Sequence, residues 1–576
     1  TARSPPDHRG PPVASGARIR PGPPRLATLV DVRLPDGARG CSTATHRDLR
    51  RASWSGGAAV LLLAGVAVAG ESAAVPGLGP RTALPPWDAG LPAPSLLVTV
   101  LLALAYGLGA LAVALGLRSL RHSTSGLAPR RVAAAGVAAV ALLVVVPPLG
   151  SADHLSYVAY GRIAAAGDDP YLVPPDHWRG GRDPVAGAVQ PPWQSAPSVY
   201  GPVATAVQGL VAAAGGGSLR RTVWFWQLVA GTAFLAVGAM LDRLTRHDPR
   251  ARARAVVLWT LNPLLLGQLV LGAHLDVLAA ALAVGVIALA ARAPLVAGLL
   301  LGAAAGTKLP YAVVGLAAVW AVRRLPRAQL VRQLTWGAIG ALAVLVPAHV
   351  WAGPHVFDQL GRAGRMVSLA TPWRAVVDGA GLLVGSDTTR AVVTPAAGLL
   401  ALWVAWRLVR QLPWSVRDDA RAGTAPRLPR ADRRFLGTRF LGVGSLGAGT
   451  LEVGPSVSVD GLDDRWVVTE AAGAAAVLST AWVLTTPYAL PWYDALVWAP
   501  LALVGASWLD GVLLLRLLTL AVAYVPGRVV GMSPGVEAVT LGVRSWVAPV
   551  VAAGVLVTVI RRTRPPARSA SSPSHP

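Results

Sequence analysis

VAAAGVAAVALLVVVPPL, residues 132–149, carries no charged side chain. After Gly150 it is followed by Ser151-Ala-Asp153-His154-Leu-Ser-Tyr157-Val-Ala-Tyr160-Gly161-Arg162, the densest polar and ionisable group in the chain. A long apolar run that opens at once onto such a group reads as a membrane helix ending at a functional boundary. Runs with almost no charge recur at 58–70, 95–117, 275–290, 336–352 and 538–560. About 20 apolar residues in a helix cross about 30 Å of hydrocarbon, and several runs reach that length. They are continuous rather than alternating, so helices and not barrel strands satisfy the backbone. Composition agrees. The 576 residues are 53% hydrophobic and 14% charged, against about 25% charged in soluble chains. The expected fold class is an all-α polytopic integral membrane protein.

Working outward, spans are expected near 56–76, 95–117, 132–150, 222–242, 255–272, 275–291, 294–306, 310–323, 336–352, 391–410, 468–486, 494–510, 512–526 and 538–560. That is about 13 helices, because 294–306 and 310–323 can be one helix kinked around Gly306 and Pro310. The net charge of +24 is a topology signal rather than a nucleic-acid footprint. Arg118, Arg121, Arg130 and Arg131, then Arg243, Arg246, Arg250, Arg252 and Arg254, then Arg323, Arg324, Arg327 and Arg332, and finally Arg561, Arg562 and Arg564 all fall on one side, the cytoplasmic one. Residues 1–52, rich in Pro, Arg and Gly and with no evident cleavable leader, read as a disordered cytoplasmic tail. A catalytic region is expected over 53–410, with external loops 151–221 and 353–390. Residues 411–467 read as a disordered cytoplasmic insertion, 468–560 as C-terminal spans and 561–576 as a cytoplasmic tail. Cys41 is the single cysteine, so no internal disulfide or multi-cysteine metal site is expected.

Four groups of residues can carry chemistry. In the first, a short helix is expected over 153–166, ended by Gly167 and Pro170. Its spacing puts Asp153, Tyr157 and Tyr160 on one face and points Arg162 away. Asp153 reads either as an N-cap or as a partly desolvated general base. The second group is Asn262-Pro263, a predicted helix break, with His274 and Asp276 at the following external turn. Asp276 can equally be the N-cap of a helical hairpin. The third is Lys308, the one lysine, which reads as a lipid-phosphate contact or as a snorkelling anchor. The fourth is Pro491-Trp492-Tyr493, whose rings suit an interfacial belt or a sugar or prenyl contact. Arg362, Arg365 and Arg374 run against the positive-inside trend and suit an anionic phosphate, or pair with Asp358 and Asp378.

These pieces together resemble the polyprenol-phosphate-mannose-dependent α-1,6-mannosyltransferases of high-GC Gram-positive bacteria, within the GT-C class of glycosyltransferases. The resemblance rests on Asp153 with Ser156-Tyr157 and Tyr160-Gly161-Arg162; on Gly167, Asp169-Pro170-Tyr171 and Tyr200-Gly201-Pro202; and on Asn262-Pro263, Gly272-Ala-His274 with Asp276, Lys308 and Pro491-Trp492-Tyr493. It covers roughly residues 140–500 in order and spacing. It implies a GT-C-like bundle with a long first external loop and an active site facing the extracytoplasmic side of the plasma membrane. Asp153 then acts as catalytic base. His154, Tyr157, Tyr160, Arg162, Asp169, Tyr171, Tyr200, Asn262, His274, Asp276, Lys308, Arg365 and Tyr493 become candidate substrate contacts. The implied donor is polyprenyl-phosphate mannose, and the implied acceptor a glycolipid or α-mannan in the membrane. The reaction inverts the anomeric carbon and makes an α-1,6 linkage in lipomannan of the cell envelope. No metal, cofactor or nucleic acid is expected. The family often has His-Asn-Asp where this chain has His274-Leu275-Asp276.

Elementary chemistry is compatible with that expectation. A prenyl donor is confined to the bilayer, so its enzyme must be too. The leaving phosphate needs cationic or dipolar stabilisation and no second acid. The alternatives are a GT-C transferase using another prenyl-phosphate sugar such as arabinofuranose, a lipid-linked sugar transporter or flippase, and a silent assembly partner. A transporter predicts paired broken helices in two repeated halves, and no convincing repeat is visible.

Overall fold

The computed structural model describes residues 36–121, 129–411 and 464–564. Every regular element among them is helical. Eight helices are long and apolar enough to cross a membrane: Arg47–Ala69, Ser95–Leu120, Leu219–Thr245, Pro249–Leu271, Arg327–Ala352, Ser386–Arg410, Arg465–Thr485 and Pro534–Arg562. Four shorter apolar helices accompany them, Pro202–Gly215, Asp276–Leu289, Pro294–Thr307 and Leu309–Val322. The expected count of about 13 is therefore not reached by helices of spanning length. The reason is local. Pro147-Pro148 end the helix of the opening stretch at Val144, leaving Pro129–Val144. Residues 494–510 hold only the Ala495–Leu501 helix, with Leu509–Ala523 after it. The 294–323 segment is two helices, because Lys308 takes an extended conformation between them. The first helix begins at Asp36, inside the segment read as a tail. Residues 1–35 lie outside the described residues, as do 412–463, most of the expected insertion, and 565–576 at the end of the chain.

Asp36–Ala69 lies along Ser95–Leu120. Pro294–Thr307 sits between Asp276–Leu289 and Arg327–Ala352, while Val313–Val322 and Ser386–Gln411 both pack on Asp464–Thr485. Small residues allow the close approaches: a Cβ on Gly298 would meet the Gly337 carbonyl oxygen at 2.1 Å, and one on Gly340 the Leu295 oxygen at 2.2 Å. The core is predominantly apolar, with Phe234 stacked on Trp259 at 5.2 Å and Trp498 fully buried. The opposite faces stay apolar too: Leu342, Val346, Val350 and Trp351 are exposed on one helix, Leu399 and Leu402 on another. Apolar inside and outside is the pattern of helices solvated by lipid.

Charges inside this scaffold are paired. Arg254 donates to both carboxylate oxygens of Asp510, at 2.5 and 2.6 Å, so this arginine of the basic cytoplasmic set is a buried tie rather than a surface cation. Arg516 pairs with Asp494. Arg220 holds the 79–88 loop through the carbonyls of Gly79, Pro80 and Pro86 and through Asp88 at 2.9 Å.

The segment 151–221 folds onto the spans. Asp153–Ala165 packs across Pro202–Gly215, the apolar piece too short to span, and both meet Leu219–Thr245. The crossing point is Gly161, where an added Cβ would meet the Gln208 backbone at 2.2 Å. Because the obstacle is backbone, no rotamer change relieves it. Gly161→Ala is expected to destabilise the protein by about 1–3 kcal/mol. The thermal unfolding midpoint of the purified protein checks this, and an unchanged midpoint would refute the packing.

Candidate active site

The site is assembled by two strained turns. Leu149 donates to the Leu271 carbonyl at 3.2 Å and Gly150 to that of Ala74 at 2.8 Å, which carries the chain out of its helix. Ala152 then takes φ 61°, and the Asp153–Ala165 helix starts. In the second turn Ala273 takes φ 52°, immediately before His274. A left-handed non-glycine residue costs about 1–3 kcal/mol and persists only where its surroundings hold it. Here Trp226 Nε1 donates to the Ala273 carbonyl at 2.8 Å.

These turns place Asp153 Oδ2 3.9 Å from His274 Nε2. Ser151 Oγ lies 3.0 Å from that nitrogen and accepts from the Asp153 N–H at 3.2 Å. His274 Nδ1 lies 2.5 Å from the Gln268 carbonyl oxygen, which can only accept. Nδ1 therefore carries the proton, and Nε2 accepts from Ser151. The ring stacks on Trp492, centroids 3.7 Å apart and planes 13° apart. Burial pushes His274 down to about 3, so the imidazole is neutral.

Asp153 does not cap its helix. The N-cap position is Ala152, and no side chain bonds the first turn. The carboxylate is thus not consumed by its own helix. Burial pushes it up to about 7, opposed by the Ser151 hydroxyl and the Lys308 charge and reinforced by the nearby Asp276.

Asp276 is not an N-cap either. Both of its oxygens accept from Lys308 Nζ, at 2.8 and 2.7 Å, and Tyr311 donates to its backbone carbonyl at 3.0 Å. Lys308 Nζ also lies 3.6 Å from the centre of the Tyr493 ring. The lysine is therefore neither a snorkelling anchor nor an unpaired cation. Aromatic rings enclose the rest of the site: Tyr157 meets Tyr200 at 5.0 Å and Trp226 at 5.4 Å, and Tyr160 meets Tyr200 at 6.1 Å. Gly201 ties this wall to the lysine. Its N–H donates to the Thr307 carbonyl at 3.3 Å, and a Cβ there would meet the Gly306 oxygen at 2.1 Å.

The structure brings together Asp153, Tyr157, Tyr160, Tyr200, His274, Asp276, Lys308 and Tyr493. Other candidates lie elsewhere. Arg162 pairs with Asp183 at 3.2 Å, away from the cluster. Asp169 accepts from the Tyr171 N–H at 2.8 Å and contacts His355 at 2.7 Å. Tyr171 bonds Thr205 through its hydroxyl at 2.7 Å. Asn262 caps the broken helix, accepting from Leu264 and donating to the Leu258 carbonyl, both at 3.1 Å. His154 is fully buried with neither ring nitrogen hydrogen-bonded, and burial pushes it down to about 3, with the Arg528 charge acting in the same direction. Arg365 is exposed, and Arg374 pairs with Asp378 at 2.9 Å. Ser151, which opens the polar group quoted above, joins the site as well, and Tyr311 and Trp226 join it without a signal in their local sequence. Among the described residues no three His, Cys, Asp or Glu side chains group closely enough to hold a metal ion.

Comparison with known proteins bears on the family and not on individual residues. Residues 53–324 match the model of a family described as Alpha-(1->6)-mannopyranosyltransferase, N-terminal domain. The chain is 30% identical over 135 residues to Alpha-(1->6)-mannopyranosyltransferase B of Corynebacterium glutamicum, covering 23% of this chain and 22% of that protein. It is 29% identical over 303 residues to Alpha-(1->6)-mannopyranosyltransferase A of Mycobacterium tuberculosis, covering 48% of this chain and 55% of that protein. The matched segments thus span about a fifth to about half of these relatives. No solved structure matches significantly. The matched residues 53–324, a little under half of the chain, hold Asp153, His274, Asp276 and Lys308, so this part of the chain is similar to the α-(1→6)-mannopyranosyltransferase family.

Proposed function

We propose that the protein is an inverting mannosyltransferase of GT-C-like architecture, embedded in the plasma membrane with its site on the extracytoplasmic side. It moves mannose from polyprenyl-phosphate mannose to an α-mannan or lipoglycan acceptor through an α-1,6 linkage. The observation that carries this reading is Asp153: a buried carboxylate that neither caps its helix nor contacts a cation, held 3.9 Å from a neutral histidine inside an aromatic enclosure.

In the transfer the acceptor hydroxyl attacks the anomeric carbon. The new C–O bond forms on the face opposite the phosphate, the bond to the phosphate oxygen breaks, and the hydroxyl proton passes to Asp153. A carboxyl near 7 suits this task, since a base is most effective with a pKa close to the working pH. Ser151 and His274 fix the surroundings of the carboxylate without charging them. Tyr157, Tyr160 and Tyr200 offer ring faces and hydroxyls to a sugar. Lys308, neutralised by Asp276, orients Tyr493 and contributes little net charge to the leaving phosphate.

Membranes carrying wild type or Asp153→Asn, supplied with labelled polyprenyl-phosphate mannose and a short α-mannoside, test the assignment. Asn keeps the shape but accepts no proton, so a fall of about 10²–10⁴-fold is expected at equal protein level. Transfer undiminished by Asn would remove Asp153 as the base. Absence of transfer in wild type would shift weight to another prenyl-phosphate sugar or to transport.

The same assay gives a pH profile. Asp153 must be ionised to act, so kcat/KM is expected to rise with pH and level off above about 7. An acid limb near 4, the ordinary carboxylate range, would show that the base is solvated and not this buried group.

A further inference from the structure

We propose that Arg544, with the apolar cleft beside it, seats the prenyl phosphate of the donor: the guanidinium holds the phosphate, and the isoprenoid chain lies between the Leu509–Ala523 and Ala548–Arg562 helices. This deepens the mannosyltransferase reading and rests on it for the identity of the lipid.

Arg544 lies within a helix of membrane-spanning length and composition, Pro534–Arg562. An ionisable side chain at such a place is costly and marks a functional position by default. The helix is locally widened there, with π-type turns over Val543–Val547. Such widening recurs at functional sites.

The guanidinium is also incompletely used. Nε donates to the Ala523 carbonyl at 3.2 Å, and the group lies 4.2 Å from the centre of the Tyr524 ring. No carboxylate among the described residues pairs with it. The other buried interior guanidiniums are satisfied: Arg254 by Asp510, Arg516 by Asp494, Arg220 by Asp88 and three carbonyls, and Arg528 by Gln190 and two carbonyls. A half-buried cation with its terminal nitrogens available, placed against an apolar wall, calls for an anion that brings apolar surface with it.

The position connects to the transfer site. Tyr524 meets Trp492 edge-on at 6.1 Å, and Trp492 stacks on His274. Tyr524 thus has the Arg544 guanidinium 4.2 Å from its ring centre and Trp492 6.1 Å away. On the other side Tyr524 packs with Ala523, Leu520 and Ala548. Leu520 and Ala548, the latter one turn beyond Arg544, line a cleft of about 210 Å³ that continues along Val551, Ala552 and Leu556, is bounded by Trp373 and also reaches Arg516, which Asp494 neutralises. Alanines at 548 and 552, one turn apart, leave room for a chain along this helix face. A single isoprenoid chain fits such a slot better than the two chains of a phospholipid, and a planar guanidinium can engage a phosphate through two parallel bonds.

The test is binding without chemistry. Full-length protein in phosphatidylcholine nanodiscs is titrated with decaprenyl phosphate lacking sugar, with uncharged decaprenol, and with phosphatidylglycerol as competitor. Arg544→Gln is expected to weaken decaprenyl phosphate at least about tenfold and to leave decaprenol unchanged. Ala552→Trp, which fills the slot, is expected to weaken both. Arg544→Lys, retaining the charge for folding, is expected to bind at an intermediate strength with an unaltered unfolding midpoint. Asp153→Asn is expected to bind like wild type, which separates this seat from the base assignment. Equal binding by wild type and Arg544→Gln would overturn the proposal even if Asp153→Asn abolishes transfer. Equal displacement by phosphatidylglycerol would overturn it in favour of an annular lipid site.

Discussion

A charge placed inside an apolar scaffold must be matched there, because no water remains to solvate it. The interior of this protein obeys that constraint almost everywhere. Arg254 meets Asp510, Arg516 meets Asp494, and Lys308 meets Asp276 through both oxygens. Each pair joins different elements, Arg254 and Asp510 across 256 positions, so each also fixes how helices sit against one another. Asp153 departs from the rule. Its nearest basic neighbour is a neutral imidazole, and its carboxyl answers burial by rising to about 7. The site thus stands out as the place where matching by a cation was withheld.

That exception is held by geometry. Ala152 and Ala273 are two of the three non-glycine residues with positive φ among the described residues, and each immediately precedes a key side chain. The strain is local and its restraint is not: Trp226 reaches from the Leu219–Thr245 helix to hold Ala273, and Ala74 and Leu271 hold the backbone leading to Ala152. Asp153 and His274 are therefore fixed by packed spans rather than by a pliant external loop. Such fixing lets a base meet a hydroxyl without reorganising.

Much of this was legible in sequence, for reasons that also explain what was not. Hydrophobic runs reveal helices because lipid demands them. They do not reveal length when prolines stop a helix inside an apolar run, as Pro147-Pro148 do, or when interior helices such as Asp276–Leu289 need no full lipid-facing height. Helical spacing grouped Asp153 with Tyr157 and Tyr160 because it needs only the 100° step. Residues separated by long stretches escape such reasoning. The stacking of His274 on Trp492 and the contact of Lys308 with Tyr493 follow from packing alone. Asn262 shows the converse: a helix break was correctly placed, yet the side chain is consumed by capping it.

The arginines carry the argument furthest. In an Arg-rich chain, external or membrane-embedded arginines invite a phosphate reading wherever they occur. The structure shows that several serve as staples. Arg220 and Arg528 tie loops through carbonyl oxygens, and Arg162 and Arg374 satisfy nearby aspartates. A guanidinium has five donors in a fixed fork, which suits it to gathering several carbonyls at a turn. A staple and a ligand-binding arginine therefore look alike in sequence and differ in how many donors the fold consumes. By that measure Arg544, hidden within the apolar average of 538–560, differs from these staples: the fold engages its Nε and its face, one turn before the Ala548 of a largely apolar cleft.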